Sequence, residues 1–294
     1  MKIILLIAAD SIRALLHQRL LIGLMIIALA LIAIFSAILV GERKMVTQNA
    51  AAVSAANAAS DESAAGGADA AASANAGNPK APAKKVTLSK EDRQKMAEAM
   101  DQMSSMFQTG FYAVASFGGS LVSLFIFSTA IAAEIRKGTI RITLTKPVSR
   151  TQFLLGKYLG GVAVMAGYAL IASAAIILFT RFNRLELSPA MEFAPWLMFC
   201  RQLMLGALAM LLSLFVHPFV ASVLAFLAGN GLYGHHNPLF YLFPSYQPFS
   251  SIGQILQGTL MSGHDVLLLT LYAADFIVLM MLLALWRFHT KELV

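Results

Sequence analysis

Charge is scarce in this chain. Only 13% of its 294 residues are Asp, Glu, Lys or Arg, where a water-soluble domain carries about a quarter. With 58% hydrophobic residues and a mean hydropathy of +0.72, that scarcity excludes an ordinary soluble globular protein. It also excludes a disordered chain, which is poor in apolar residues and rich in charge. Cysteine is nearly absent: Cys200 alone excludes an internal disulfide framework and any multi-cysteine metal site. The chain lacks a G-x-x-x-x-G-K-[ST] loop, so it does not itself cradle nucleotide phosphates by that device. It also lacks H-E-x-x-H and G-x-S-x-G. Nothing points to an enzyme. The one excess is a formal net charge of +7, which by itself suits either nucleic acid or a membrane surface.

What the chain does have is long uncharged runs. About 20 mostly apolar residues cross the roughly 30 Å hydrocarbon core. Residues 20–40, 109–133 and 158–180 meet that length. From Gln202 to Gly263 there is no Asp, Glu, Lys or Arg, too long a run for one helix. His217-Pro218 breaks it early, and Gly229 to His236 with Pro238, Pro244 and Pro248 break it late. The pieces predict spans over 196–216 and 219–233, and a last span runs over 266–286. The expected fold is therefore all-α, a polytopic membrane protein with six transmembrane helices. Residues 1–19 precede the first span. Asp10, Arg13 and His17 recur on one helical face, with Leu5, Ile12, Leu15 and Leu16 mostly on the other. This predicts an amphipathic helix in the interface plane; a plain extension of the first span differs little in sequence. The apolar run from Leu20 starts later and runs longer than a signal peptide's core, so a retained span is expected, although the Ala-rich sequence downstream offers small-residue cleavage sites.

The charges set the orientation. Lys and Arg in short loops stay cytoplasmic. With six spans the N-terminal segment carries +2, the 134–157 loop +5 and the 287–294 tail +1, all on one face, while the 41–108 loop sums to zero. Both termini are expected in the cytoplasm, and the basic excess is an orientation signal rather than a nucleic-acid signature. Within the 41–108 loop, residues 49–83 are nearly all Ala, Ser, Asn and Gly, without an aromatic residue. Such a stretch cannot bury a core. A helix signal follows over 89–108: Ser89 caps it with Asp92 in the capping-box position, and Met96, Met100, Met103 and Phe107 form a stripe. Packing is the commoner use of such a stripe; soft thioether binding of copper(I) is the other. His235, His236 and His264 in the 234–265 segment suit interfacial polar roles better than metal ligation.

The most specific stretch is Glu134-Ile-Arg136-Lys137-Gly138-Thr139-Ile-Arg141, then Lys146-Pro147-Val-Ser149-Arg150, then Phe153-Leu-Leu-Gly156-Lys157-Tyr158. Arg136 and Lys137 suit the negative end of a helix, Gly138 suits its stop, and Ser149 with Gln152 forms a capping box for the next span. This stretch resembles the permease subunits of ABC-2 type ABC transporters. Ser11-Ile-Arg13 with Arg19 looks like that family's N-terminal elbow helix, and Ser213 to Ala221 and Phe243-Pro244 to Pro248-Phe249 look like features of its later spans.

The resemblance implies two six-span permease domains in a dimer, in a bacterial cytoplasmic membrane, each docked on a separate ATPase. ATP and Mg would be bound by that partner, and no cofactor by this chain. The residues Glu134, Arg136, Lys137, Gly138, Thr139, Arg141, Lys146, Pro147, Ser149 and Arg150 would form the ATPase-coupling element. The bland alternative is that these charges only set topology and bind anionic lipid. A second function class is a membrane scaffold for an ATPase-linked periplasmic complex, such as copper-enzyme maturation or motility, with a periplasmic partner and no bulk transport. Two further residues stand out as charges inside the bilayer: Arg201, about one turn into the fourth span, and Asp275, midway along the last. A carboxylate at that depth is costly unless paired, protonated or facing water. Asp275 is expected to face the interior toward Arg201 or a substrate path, or to be protonated against a neighbouring backbone. Gly156, Gly160 and Gly161 are expected to permit close helix approach, within a subunit or between subunits.

Overall fold

Apolar runs and helix breaks divide the chain into helices. The computed structural model describes residues 2–16, 23, 90–137, 149–182, 187–229, 246–257 and 259–290. In chain order these form α1 (Lys2–Leu16), α2 (Lys90–Lys137), α3 (Arg150–Phe182), a 3-10 turn (Pro189–Glu192), α4 (Ala194–Ser213) and α5 (Pro218–Gly229). A second 3-10 turn (Gln247–Phe249), α6 (Ile252–Gln257) and α7 (Gly263–Thr290) follow. Among the described residues there is no strand.

Four stretches are long and apolar enough to cross a membrane: Ser104–Ala132, Arg150–Phe182, Ala194–Ser213 and Gly263–Thr290. The chain is a polytopic helical membrane protein. The six expected spans are not all among them. The first, over 20–40, lies outside the described residues, as do the 49–83 insert and residues 138–148. The fifth, expected over 219–233, is described as a helix only to Gly229. Its 12 residues reach about 18 Å, short of a 30 Å core. Conversely α2 runs unbroken for 48 residues, about 72 Å. The helix expected over 89–108 and the second span are thus one element from Lys90 on; the expected Ser89 cap lies outside the described residues. The expected break at His217-Pro218 is present: α4 ends at Ser213, α5 starts on Pro218, and Phe219 N donates to His217 Nδ1 at 3.4 Å.

The core is built around α4, which packs on α2, α3, α5 and α7. Its small residues allow this. Phe127 of α2 wedges between Gly206 of α4 and Gly161 of α3, where a Cβ on either would overlap the ring. Between helices, hydroxyls donate to backbone carbonyls: Ser123 Oγ to Gln202 O at 2.6 Å, Tyr168 Oη to Ala115 O at 2.7 Å, Tyr158 Oη to Leu203 O at 3.3 Å. Such bonds tie helices where lipid offers no hydrophobic drive between them. The buried stripe of α7 is Val266, Ala273, Phe276, Met280, Ala284 and Phe288; its other side, with Leu268, Leu271, Leu279 and Leu282, is exposed.

α1 packs on α3 through glycines. Gly156 sits against Ile7 and Gly160 against Ser11 and Ala8. Ala8 and Ser11 are buried, while Leu5, Leu6, Asp10 and Arg13 are exposed. The small-residue pair therefore seats a helix of the same subunit.

Candidate functional site

Two constellations sit at opposite ends of the bundle. At the basic end, the last turn of α2, the start of α3 and the last turn of α7 converge. Ser149 and Gln152 make the reciprocal bonds of a capping box: Gln152 N donates to Ser149 Oγ and Ser149 N to Gln152 Oε1, both at 3.2 Å. This fixes where α3 begins. The cap aims Arg150 at α7, where its Nη1 donates to Phe288 O and His289 O, both at 3.1 Å. A guanidinium there meets carbonyls of the last described turn, at the negative end of the helix dipole. Phe153 and Phe288 stack at 6.2 Å between centroids. Arg287 lies over the Phe215 ring at 5.0 Å, tying α7 to the α4–α5 turn.

Glu134, near the end of α2, forms an ion pair with Lys157 of α3. Lys157 is only 8% exposed, and its ammonium also sits 5.7 Å from the Phe153 centroid. Of the residues expected to form the coupling element, Glu134, Ser149 and Arg150 are thus brought to one junction. Arg136 and Lys137 close α2. Gly138, Thr139, Arg141, Lys146 and Pro147 lie outside the described residues. In the sequence Lys157 stands among the orienting charges and in the family-like stretch, without a partner. Its pairing with Glu134 joins two helices and has no spacing signature in the sequence.

A family profile described as ABC-2 family transporter protein matches residues 5–293. The chain belongs to the ABC-2 transporter family. No individual curated protein matches it significantly. The match covers nearly the whole chain, so this ABC-2 protein is a permease-type membrane component. Such components in general work with a partner ATPase and are typically not catalytic themselves.

The second constellation of the ABC-2 chain lies at the aromatic end, where α4 begins. Arg201 lines a cavity of about 330 Å³ with Ser116 and Ser120 of α2, Phe226 of α5, and Tyr246 and Ser250 of the segment before α6. Arg201 Nη1 donates to Ser116 Oγ at 3.2 Å. Tyr246 is 3% exposed, and its hydroxyl has no hydrogen-bond partner among the described residues. Burial pushes its pKa well above the usual phenol value, so it stays a protonated donor. Tyr246 packs edge-on against Phe276 of α7 at 6.3 Å, which ties the segment before α6 to that helix. The sequence marked this segment by its prolines and by its resemblance to later-span features of the family, without pointing to Tyr246.

The pairing expected between Asp275 and Arg201 does not occur. Asp275 is exposed on the outer side of α7. Nine residues separate it from both Val266 and Ala284, which are buried. Nine residues are two and a half turns, so Asp275 must point the opposite way. Among the described residues no three His, Cys, Asp or Glu side chains converge on a metal position. His264 is exposed, 3.8 Å from the Asp265 carboxylate.

Proposed function

We propose that the chain is the six-span permease subunit of an ABC-2 type ABC transporter. In this reading it dimerises in a bacterial cytoplasmic membrane and couples ATP hydrolysis by a separate ATPase to export or extraction of a substrate. Both termini and residues 134–157 face the cytoplasm, and α1 is the interfacial elbow helix. The observation that carries the reading is the junction at the basic end. The segment between Glu134 and Arg150 is clamped at both sides, by the Glu134–Lys157 ion pair and by Arg150 on the terminal carbonyls of α7. A push on that segment therefore moves the ends of α2, α3 and α7 together. Packed helices and charge-assisted bonds transmit such displacement rather than absorb it.

The test separates docking from transmission. Arg141→Glu with Lys146→Glu is expected to abolish co-purification of the ATPase while the permease still inserts. Arg150→Gln is expected to keep the ATPase bound but lose stimulation of hydrolysis. Full co-purification of the first variant and full stimulation of the second would refute the assignment. A scaffold without transport is the reading favoured if hydrolysis proceeds at one rate with or without this subunit.

A further inference from the structure

The cavity around Arg201 does not stand alone. Below it, along the same seam between α2 and α5, runs an apolar groove of about 490 Å³ walled by Leu121, Leu124 and Phe125 on one side and Phe219, Val223 and Phe226 on the other. Phe226 is a wall of both spaces, and its ring meets Phe117 of the cavity edge-on at 6.0 Å. The hydroxyls that touch the groove already have partners. Ser222 Oγ donates to Ser128 Oγ at 2.8 Å, and Thr129 Oγ1 to Phe125 O at 2.7 Å. Apart from the exposed His217 at the start of α5, the groove therefore presents hydrocarbon, while the cavity presents a guanidinium and hydroxyls.

The order of polarity fits one chemical shape. A guanidinium flanked by hydroxyl donors recognises phosphate or carboxylate oxygens, and among the described residues none that lines the cavity carries a carboxylate. The buried Tyr246 hydroxyl, without a partner among the described residues, is a donor that a ligand oxygen would satisfy. From Ser116 to Thr129 the two spaces follow α2 for about 20 Å, longer than the ~15 Å of one leaflet's hydrocarbon. We propose that cavity and groove form one site for an anionic amphiphile, its head group on Arg201 and Tyr246 and its acyl chain in the α2–α5 groove. Calling that amphiphile a substrate rests on the permease reading; the binding itself does not, and its test needs no ATPase.

The experiment is a native mass-spectrometry titration of the delipidated full chain in detergent. The probes are dioleoyl phosphatidylglycerol, dioleoyl phosphatidylcholine and inorganic phosphate. Phosphatidylglycerol is expected to bind at least about tenfold tighter than phosphatidylcholine. Arg201→Gln is expected to remove that preference, a loss of about tenfold for one charge-assisted contact. Arg201→Lys retains part of it and guards against a folding defect. Tyr246→Phe is expected to weaken phosphatidylglycerol about threefold, at the low end of one hydrogen bond's contribution, with the fold intact. Val223→Trp, which fills the groove, is expected to weaken phosphatidylglycerol and leave inorganic phosphate unaffected. Three results overturn the proposal: unchanged preference in Arg201→Gln, phosphate binding as tightly as the lipid with Val223→Trp silent, or Val223→Cys cross-linking efficiently to a second copy, which would make the groove a subunit interface.

Discussion

Lys157 illustrates how much one side chain carries here. Its ammonium is nearly withdrawn from solvent and its charge is balanced by Glu134. Removing one partner of a buried pair leaves an uncompensated charge. Lys157→Met is therefore expected to destabilise the fold by about 3 kcal/mol, with most of the loss recovered in the double variant with Glu134→Leu. Chemical unfolding in detergent measures both. Asp275 makes the opposite case. It has no hydrogen bond or ion pair among the described residues and lies on the exposed side of α7. Asp275→Asn is expected to change stability by less than about 0.5 kcal/mol in the same assay. A carboxylate halfway along a span still has to meet water or protein, so that face of α7 is not expected to be plain lipid contact. The sequence marked both Asp275 and Arg201 as intramembrane charges, because composition alone shows them. It did not show that they diverge, since that depends on which side of α7 turns to α4.

At the scale of elements, local signals were the legible ones. The Ser149–Gln152 cap, the break at His217-Pro218 and the helix signal after Ser89 are short-range chemistry, and each appears where the residues put it. Tertiary partners were not legible. Gly156 and Gly160 announced a close approach, but only the packing shows that α1 fills it. Arg150 and the carbonyls of Phe288 and His289 are some 138 residues apart in sequence, beyond any periodicity. The glycine seat gives a direct prediction. Gly160→Leu should push α1 off α3, and a cysteine placed at Ala8, buried at 7% exposure, should change from protected to readily labelled by maleimide. Continued protection would mean that α1 is held elsewhere.

For the whole molecule, the sequence showed a helical membrane protein because scarce charge and long apolar runs leave no other class. The number of spans was less secure: α5 as described is too short to cross alone. The proposed orientation rests on the basic end, to which α2 brings Arg136 and Lys137, α3 Arg150 and Lys157, and α7 Arg287. A phosphatase fused after Val294 should be inactive and a fluorescent protein fused there should glow, the pattern of a cytoplasmic terminus; the reverse pattern would invert the molecule. Deleting residues 49–83 should leave the unfolding temperature within about 2 °C, because that composition adds no apolar surface to bury.

The unbroken α2 has one more consequence. A stiff rod of about 72 Å magnifies a rotation at one tip into travel at the other: a tilt of about 5° at Lys137 sweeps Lys90 through about 6 Å. Work done on one side of the bilayer would arrive on the other as leverage, without any helix melting or re-forming on the way.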